Sequence, residues 1–381
     1  MTQFSLCEGS NDQKMTQIHV YWDLYGKNYP SGVVQCAKNL AISLENLGIH
    51  PKIPLFDRYE PISPLNPIWI RSFGPASPFL GQKAIWPCIV SRKLRHLPQG
   101  VFHGLSNMNV PLDRAFHKRF ASVLTVHDVI PLLAPESVSL PFRLQTRLLF
   151  PRALQAVEKI VCVSEWTKRT LLHIFPFIKE KVVVIPNGFP ALQAISESER
   201  AARLETKQLL SVSRFEKYKR FDLLVSMLRA APSDWCLTVV TDQRGEAFFF
   251  SEAGDLLANR RLVVKKQLAR EQLDAEYRSA SIYVHPSLYE GFCLPASEAL
   301  AFGLPVVYTK GNALDEFMND AFSVGVEAHQ SVTKWLEATE NAWSKNKKPQ
   351  IAQQLQAFFE TVPTWEKSAK KLLTLYQNLI K

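Results

Sequence analysis

From Gln17 to Trp22 the chain reads QIHVYW, a short apolar run rich in β-formers that predicts a buried strand. The polar stretch DLYGKNYPSG follows, and then VVQCAKNLAISLENLG, whose apolar positions recur every three to four residues up to Gly48. That spacing predicts an amphipathic helix closed by a glycine. Further strand-like runs stand at 100–104, 122–128, 159–164 and 181–188, with helical spacing between most of them. Strands alternating with helices predict a parallel sheet covered on both faces. Between Phe189 and Thr206 the periodicity dissolves, and a second series of runs begins at 209–215, 236–242, 261–267, 281–286 and 305–309. From Trp365 onward, WEKSAKKLLTLYQNLI predicts one amphipathic helix. The fold class is therefore α/β, with two doubly wound Rossmann-like domains facing each other across a cleft. The expected division is an N-terminal domain over 1–190, a linker over 191–206, a C-terminal domain over 207–362 and a terminal helix over 363–381 packing back towards the first domain. Ligands bind such sheets beyond the carboxyl ends of the strands.

Composition narrows the class. The 381 residues suffice for two domains, and 46% apolar with 21% charged residues suits a soluble globular chain. The first residues carry neither the basic nor the apolar region of a secretory signal. Nor does an uncharged apolar run approach the roughly 18–20 residues that span a bilayer. A cytoplasmic location, or a peripheral one on the cytoplasmic face of a membrane, is expected. Six cysteines without Cys-x-x-Cys spacing argue against a zinc site and a disulfide framework, and Cys162 and Cys236 are expected as buried small hydrophobes. The formal charge is +10, with basic clusters SRKLRH at 91–96, RAFHKR at 114–119 and FRLQTRLLFPR at 142–152, all in the first domain. Anionic lipid headgroups, nucleic acid or a phosphorylated substrate would answer such a surface, as would plain solvent. The chain contains no nucleic-acid-binding motif, so nucleic acid is not an expected partner.

The stretch HPSLYEGFCLPASEALAFGLPVV, beginning at His285, carries the most chemistry. A strand leads into Glu290-Gly291, which places Glu290 at the carboxyl end of the second sheet. Pro295 suits the first helical position, and Glu298 then falls in the first turn. The amides of Phe292, Cys293 and Leu294 are left unpaired at the helix start, where the dipole favours an anion, and Gly291 lets backbone approach a ligand. A nucleotide diphosphate fits those amides, with the two carboxylates accepting from sugar hydroxyls. SVSRFEKYKRFDLL supplies the opposite charge: Arg214 closes the first strand of the second domain and Lys219 opens the following helix, both at the same sheet end as Glu290. Two fixed cations there stabilise the charge that develops on a leaving diphosphate.

The Glu-x7-Glu pair Glu290/Glu298, the EGFCLP turn, and Arg214 with Lys219 in SRFEKYKRFDLL resemble the retaining GT-B glycosyltransferases of the family-4 type. SEALAFGLPVV, VSEWTKRTLL, VIPNG and the closing helix extend the resemblance over nearly the whole chain. It implies a first domain on the acceptor side and a second that binds the donor. Glu298 would hold the ribose diol, and Glu290 the hydroxyls of the donor sugar. Gly291 and the amides of Phe292, Cys293 and Leu294, with Arg214 and Lys219, would grip the diphosphate. His127, in TVHDVIP, would face the transferred sugar, with Asp128 capping or orienting beside it. Gly32 would approach the diphosphate, although Ser31-Gly32 stands where paired glycines are usual. Cys293 likewise stands where glycine is common. His103 is a candidate for the acceptor side. The implied reaction is transfer of a hexose with retention, with no permanently bound cofactor and no required metal. The sequence has no Asp-x-Asp pair that would clamp one. The donor implied is a nucleotide-diphosphate sugar, GDP-mannose favoured over a UDP-sugar. The acceptor implied is a glycolipid, lipopolysaccharide or polysaccharide hydroxyl at an anionic membrane surface reached through the basic first domain. A sugar-nucleotide epimerase on the same architecture and a non-catalytic partner subunit are the competing readings.

Overall fold

The computed structural model describes residues 18–24, 31–57, 59–70, 80–348 and 350–380, the side chains of 80–85 excepted. Gln17, Cys7 and most of the loop DLYGKNYPSG lie outside the described residues. Thirteen described strands form two sheets in which every neighbour pairing is parallel. The first holds β1 (Val20–Asp23), β2 (Lys52–Phe56), β3 (Asn66–Ile70), β4 (Gly100–Gly104), β5 (Phe120–Val126), β6 (Lys159–Cys162) and β7 (Val182–Val184), in the order β3-β2-β1-β4-β5-β6-β7. The second holds β8 (Lys207–Val212), β9 (Trp235–Thr241), β10 (Leu262–Lys266), β11 (Ile282–His285), β12 (Val306–Thr309) and β13 (Ser323–Val326), in the order β10-β9-β8-β11-β12-β13. Strand order reverses between β1 and β4 in one sheet and between β8 and β11 in the other. Those reversals are the topological switch points where a crevice opens at the carboxyl ends.

Central strands such as β11 and β12 are buried along their whole length, because helices cover both faces of a parallel sheet. The helix Gly32–Glu45 ends as its glycine requires: Gly48 takes φ 77° and donates to the Glu45 carbonyl at 2.9 Å.

Three strands escaped the hydrophobic pattern. β2 and β3 contain Pro54 and Pro67, which cannot donate to a ladder, and β13 is a four-residue edge strand carrying Gly325. Pro67 is tolerated because β3 lies at the sheet edge. Residues 197–205, where the periodicity offers no element, form the helix Glu197–Glu205, started by a reciprocal Ser196–Glu199 capping box. Its buried Arg203 donates to the carbonyls of Tyr277, Arg278 and Phe302, satisfying the ends of two neighbouring helices.

The terminal helix Trp365–Leu379 crosses onto the first sheet. Trp22 donates Nε1–H to the Tyr376 hydroxyl at 2.9 Å, and Ser368 donates to the Pro186 carbonyl at 2.7 Å. This corrects the expectation for His103. Its Nδ1 lies 2.6 Å from the Tyr376 hydroxyl and its Nε2 2.7 Å from Thr125 Oγ1, so neither nitrogen remains for an acceptor. Burial drives its pKa down to about 3, and it serves as a neutral strut beneath the terminal helix. The five described cysteines are free. Cys162 is buried as expected, whereas Cys236 is only half-buried. Among the described residues, no helix is long and apolar enough to cross a membrane.

Candidate functional site

The switch point of the second sheet gathers the predicted charges. The loop after β8 and the loop after β11 are tied together where Leu288 N–H donates to the Tyr218 carbonyl at 2.8 Å. Lys219 and Glu290 thereby face each other, and the ammonium donates directly to Glu290 Oε1. The same oxygen lies 2.5 Å from His285 Nε2. Burial by itself would raise the Glu290 pKa, but the Lys219 ammonium, seconded by His285, outweighs it and holds the carboxyl at about 2. Glu290 is therefore ionised at any physiological pH. Burial pulls the Lys219 pKa down while Glu290 pushes it up, and Glu290 wins.

Two local expectations shift. Lys219 does not open a helix; it ends a single 3₁₀ turn, Lys217–Lys219, and the helix Phe221–Ala230 begins only after Arg220 has taken a left-handed φ of 53°. Arg214 stands two residues beyond the end of β8, exposed and without a hydrogen-bond or ion-pair partner among the described residues. The structure thus brings Lys219 to Glu290 and leaves Arg214 at the rim.

The helix Leu294–Ala301 starts from Cys293, which takes φ 72° as its N-cap and makes no side-chain cap. A residue with a side chain occupies the left-handed region there, at a cost that glycine would not incur. Pro295 is the second helical residue and Glu298 the fifth, so Glu298 belongs to the second turn rather than the first. Among the described residues the N–H groups of Phe292, Cys293 and Leu294 find no acceptor, which leaves a bare set of donors at the positive end of the helix. Glu298 is held from two sides, by Arg270 Nη1 on Oε1 at 2.5 Å and by the Tyr277 hydroxyl on Oε2 at 3.0 Å.

The first domain closes over this loop. A β-carbon added to Gly291 would lie 1.8 Å from the His127 carbonyl oxygen and 3.2 Å from Asp128 Cβ. Thr167 Oγ1 sits 3.4 Å from both the His127 and the Gly291 carbonyl oxygens. Nearby, Glu316 accepts from the N–H groups of Glu165 and Trp166, so a carboxylate of the second domain caps the helix Glu165–Ile174 of the first. Trp166 Nε1 also donates to the Gly311 carbonyl at 3.0 Å.

His127 donates Nε2–H to the Leu105 carbonyl at 2.9 Å, which fixes the tautomer and leaves Nδ1 as an acceptor. Burial lowers its pKa to about 4, so the ring is neutral. Asn107 clamps this turn, its Oδ1 accepting from His127 N–H at 3.2 Å and its Nδ2 donating to the Asp128 carbonyl at 2.7 Å. Asp128 caps the turn by accepting from Ile130 N–H at 3.0 Å. Gly32 opens the helix Gly32–Glu45 opposite the loop that precedes the helix Leu294–Ala301: a β-carbon there would meet Leu294 Cδ1 at 3.9 Å. Two helix starts thus face one another across the cleft.

His285, Glu290 and Cys293 bring nitrogen, oxygen and sulfur atoms within 4.8 Å of one another. The Lys219 ammonium donates to the same carboxylate oxygen as His285, so these side chains form one hydrogen-bonded network. Of its members, His285 was missed by sequence reasoning, as were Tyr277, Arg270, Asn107, Thr167 and Glu316. Only His285 stood inside the motif, and its strand-end position was the available signal.

Comparison with known proteins identifies the family and the fold. The model for "Glycosyltransferase Family 4" matches residues 30–191 and that for "Glycosyl transferases group 1" matches residues 194–354. The O-antigen chain mannosyltransferase B of Escherichia coli is 24% identical over 258 residues, 60% of this chain and 61% of that one. The O-antigen chain mannosyltransferase RfbU of Salmonella typhimurium is 23% identical over 220 residues, 57% of this chain and 60% of that one. The matched segments therefore span about three fifths of the length of these relatives. Among solved structures, Anabaena Alr3699/HepE in complex with UDP superposes with a TM-score of 0.71 at 17% identity, covering 95% of this chain and 100% of that one. WaaG, a glycosyltransferase involved in lipopolysaccharide biosynthesis, gives a TM-score of 0.74 at 17% identity, covering 94% and 99%. At such identities the structural likeness speaks for the fold alone. Two adjoining family models and a shared two-domain architecture establish that the chain belongs to the group 1, family-4 type glycosyltransferases and has the GT-B fold.

Proposed function

We propose that the chain is a retaining glycosyltransferase that moves mannose from GDP-mannose to a hydroxyl of a membrane-associated glycolipid, lipopolysaccharide or polysaccharide acceptor. The observation that carries this reading is the Lys219–Glu290 pair lying beside the unpaired amides of Phe292, Cys293 and Leu294. In this reading residues 1–190 form the acceptor side, 207–362 the donor domain, 191–206 the linker, and 363–381 the helix that returns to the acceptor side. The diphosphate sits on the amides with Lys219 and Arg214 on its oxygens, and Gly291 and Gly32 keep the approach open. As the bond to the anomeric carbon breaks, charge grows on the β-phosphate; the amides and Lys219 take it up without reorganising, and Arg214 joins them from the rim. That charge is met by Lys219, Arg214 and a helix dipole, so the reaction needs no metal. The departing phosphate accepts the acceptor's proton on the same face, and no protein nucleophile is needed. Glu290 accepts from sugar hydroxyls, while His127 offers its Nδ1 lone pair to another. Glu298 keeps free acceptor sites beyond Arg270 and Tyr277, enough for a ribose diol. The mannosyltransferase names of two relatives support the sugar, and the UDP complex of Alr3699/HepE supports a nucleoside diphosphate in this fold.

A panel of nucleotide sugars, scored by thermal shift and by release of the sugar, tests the reading and separates GDP- from UDP-donors. Stabilisation by one donor class is expected. Glu298→Ala should weaken nucleotide affinity by about ten- to a hundredfold, the scale of one or two lost charge-assisted hydrogen bonds. Conversion of the donor into an epimer without transfer would replace this reading by the epimerase one, and indifference to every nucleotide would overturn both.

A membrane surface as partner rests on one helix. In Leu140–Ala156, Leu140, Leu144 and Leu148 are 64%, 51% and 59% exposed at four-residue spacing, with Arg143, Arg147 and Arg152 interleaved. Apolar anchors amid cations suit the interface of an anionic bilayer. The protein should co-sediment with phosphatidylglycerol vesicles and not with phosphatidylcholine alone. The Leu144→Asp, Leu148→Asp double variant should bind at least about a hundredfold less, each substitution forfeiting more than about 1.4 kcal/mol of apolar burial. Equal sedimentation of the variant would remove this helix from the account.

A further inference from the structure

His285 is buried at the end of β11 with both ring nitrogens engaged. Nε2 lies 2.5 Å from Glu290 Oε1, and Nδ1 lies 3.2 Å from the Tyr283 hydroxyl, which itself stands 3.1 Å from the Val212 carbonyl oxygen. An ionised carboxylate only accepts, so Nε2 carries a hydrogen in every state. Nδ1 has two possible states, and the Tyr283 hydroxyl serves both. When Nδ1 is bare, the hydroxyl turns to donate to it. When Nδ1 is protonated, its N–H donates to the Tyr283 oxygen and the hydroxyl swings to the Val212 carbonyl. In either state both ring nitrogens keep a hydrogen-bond partner, as a histidine so fully enclosed requires.

We infer that His285 is a positioning residue that holds Glu290 in place and takes up a proton when a diphosphate enters the neighbouring helix start. The inference rests on the donor-site reading above. In the free protein, burial keeps the ring neutral, Lys219 reinforces this and Glu290 opposes it. The other groups facing the ring are the Tyr283 hydroxyl and the Cys293 thiol, whose Sγ lies 3.3 Å from Nε2 and which burial keeps protonated. A diphosphate on Lys219 and the amides offsets the repulsion from the ammonium and adds negative potential in a dry cleft. The imidazolium is then favoured, and it supplies Glu290 with a second cationic partner while Lys219 is shared with phosphate. The sign follows: the bound-state pKa exceeds the free-state one, so binding takes up a proton between the two, and affinity gained through His285 grows as pH falls across that window.

Titration calorimetry of GDP or UDP in two buffers of different ionisation enthalpy counts the protons exchanged. The nucleotide's own phosphate contributes equally to wild type and His285→Gln, a variant that can still donate to Glu290 but cannot titrate. Wild type should take up more protons than the variant, by a fraction of one up to one. The ¹⁵N shift of His285 Nδ1 in the wild-type protein provides a readout that needs no variant, and it should move to its protonated position on adding nucleotide. Binding with equal proton counts, or with an unmoved Nδ1, overturns this inference and leaves the donor site standing. No binding at all overturns both.

Discussion

Lys219→Ala is expected to lower the turnover number by two to three orders of magnitude. Loss of one fixed donor to a developing oxyanion costs roughly 3–4 kcal/mol, and Lys219 is the buried cation of the site, whereas Arg214 stands exposed at its rim. The structure adds a second consequence. Lys219 and Glu290 form a pair with only 14% and 9% of their side chains exposed, so the alanine variant leaves a carboxylate whose remaining hydrogen-bond partner among the described residues is His285. Stripping one member from a buried pair typically costs on the order of 3 kcal/mol of stability. The two effects separate in the double variant Lys219→Ala, Glu290→Gln, which should regain most of the lost melting temperature and none of the turnover. Full activity in the single variant would remove Lys219 from the chemistry.

Gly291→Ala should be nearly as damaging for a different reason. Its β-carbon would fall 1.8 Å from the His127 carbonyl oxygen and 2.9 Å from the carbon of that group. Both atoms are backbone of the opposite domain and cannot rotate aside, so the domains must separate. A misplacement of about 1 Å between reacting groups can cost a hundredfold in rate, and a drop in turnover of at least that size is expected. Each domain keeps its own core, so melting of the separate sheets and nucleotide affinity should change little. Steady-state kinetics beside calorimetry would show this split, and an unchanged turnover would mean that the closed arrangement is not the working one.

Sequence pattern reached the centre of each sheet better than its edges. β4, β5, β11 and β12 are predominantly apolar runs because helices bury both of their faces, and parallel sheets leave that mark on any chain. Pro54, Pro67 and Gly325 hid β2, β3 and β13, since those residues argue against a strand unless its position in the sheet is known. At the site, the residue types of the motif were legible and their partners were not. Lys219 reads as a free cation awaiting phosphate, yet it is already paired with a carboxylate 71 residues away. Glu316 caps a helix about 150 residues distant, and no local pattern marks such a contact. His103 read as a candidate for the acceptor side, but Tyr376, 273 residues later, closes over it.

The seat of the diphosphate decides the proposed function. The direct measurement is a crystal structure with GDP or UDP bound. It should place β-phosphate oxygens at about 2.7–3.2 Å from Lys219 Nζ and from at least one amide among Phe292, Cys293 and Leu294, with a ribose hydroxyl on Glu298. A nucleotide seated elsewhere, or one whose phosphates leave Lys219 and those amides untouched, would contradict it.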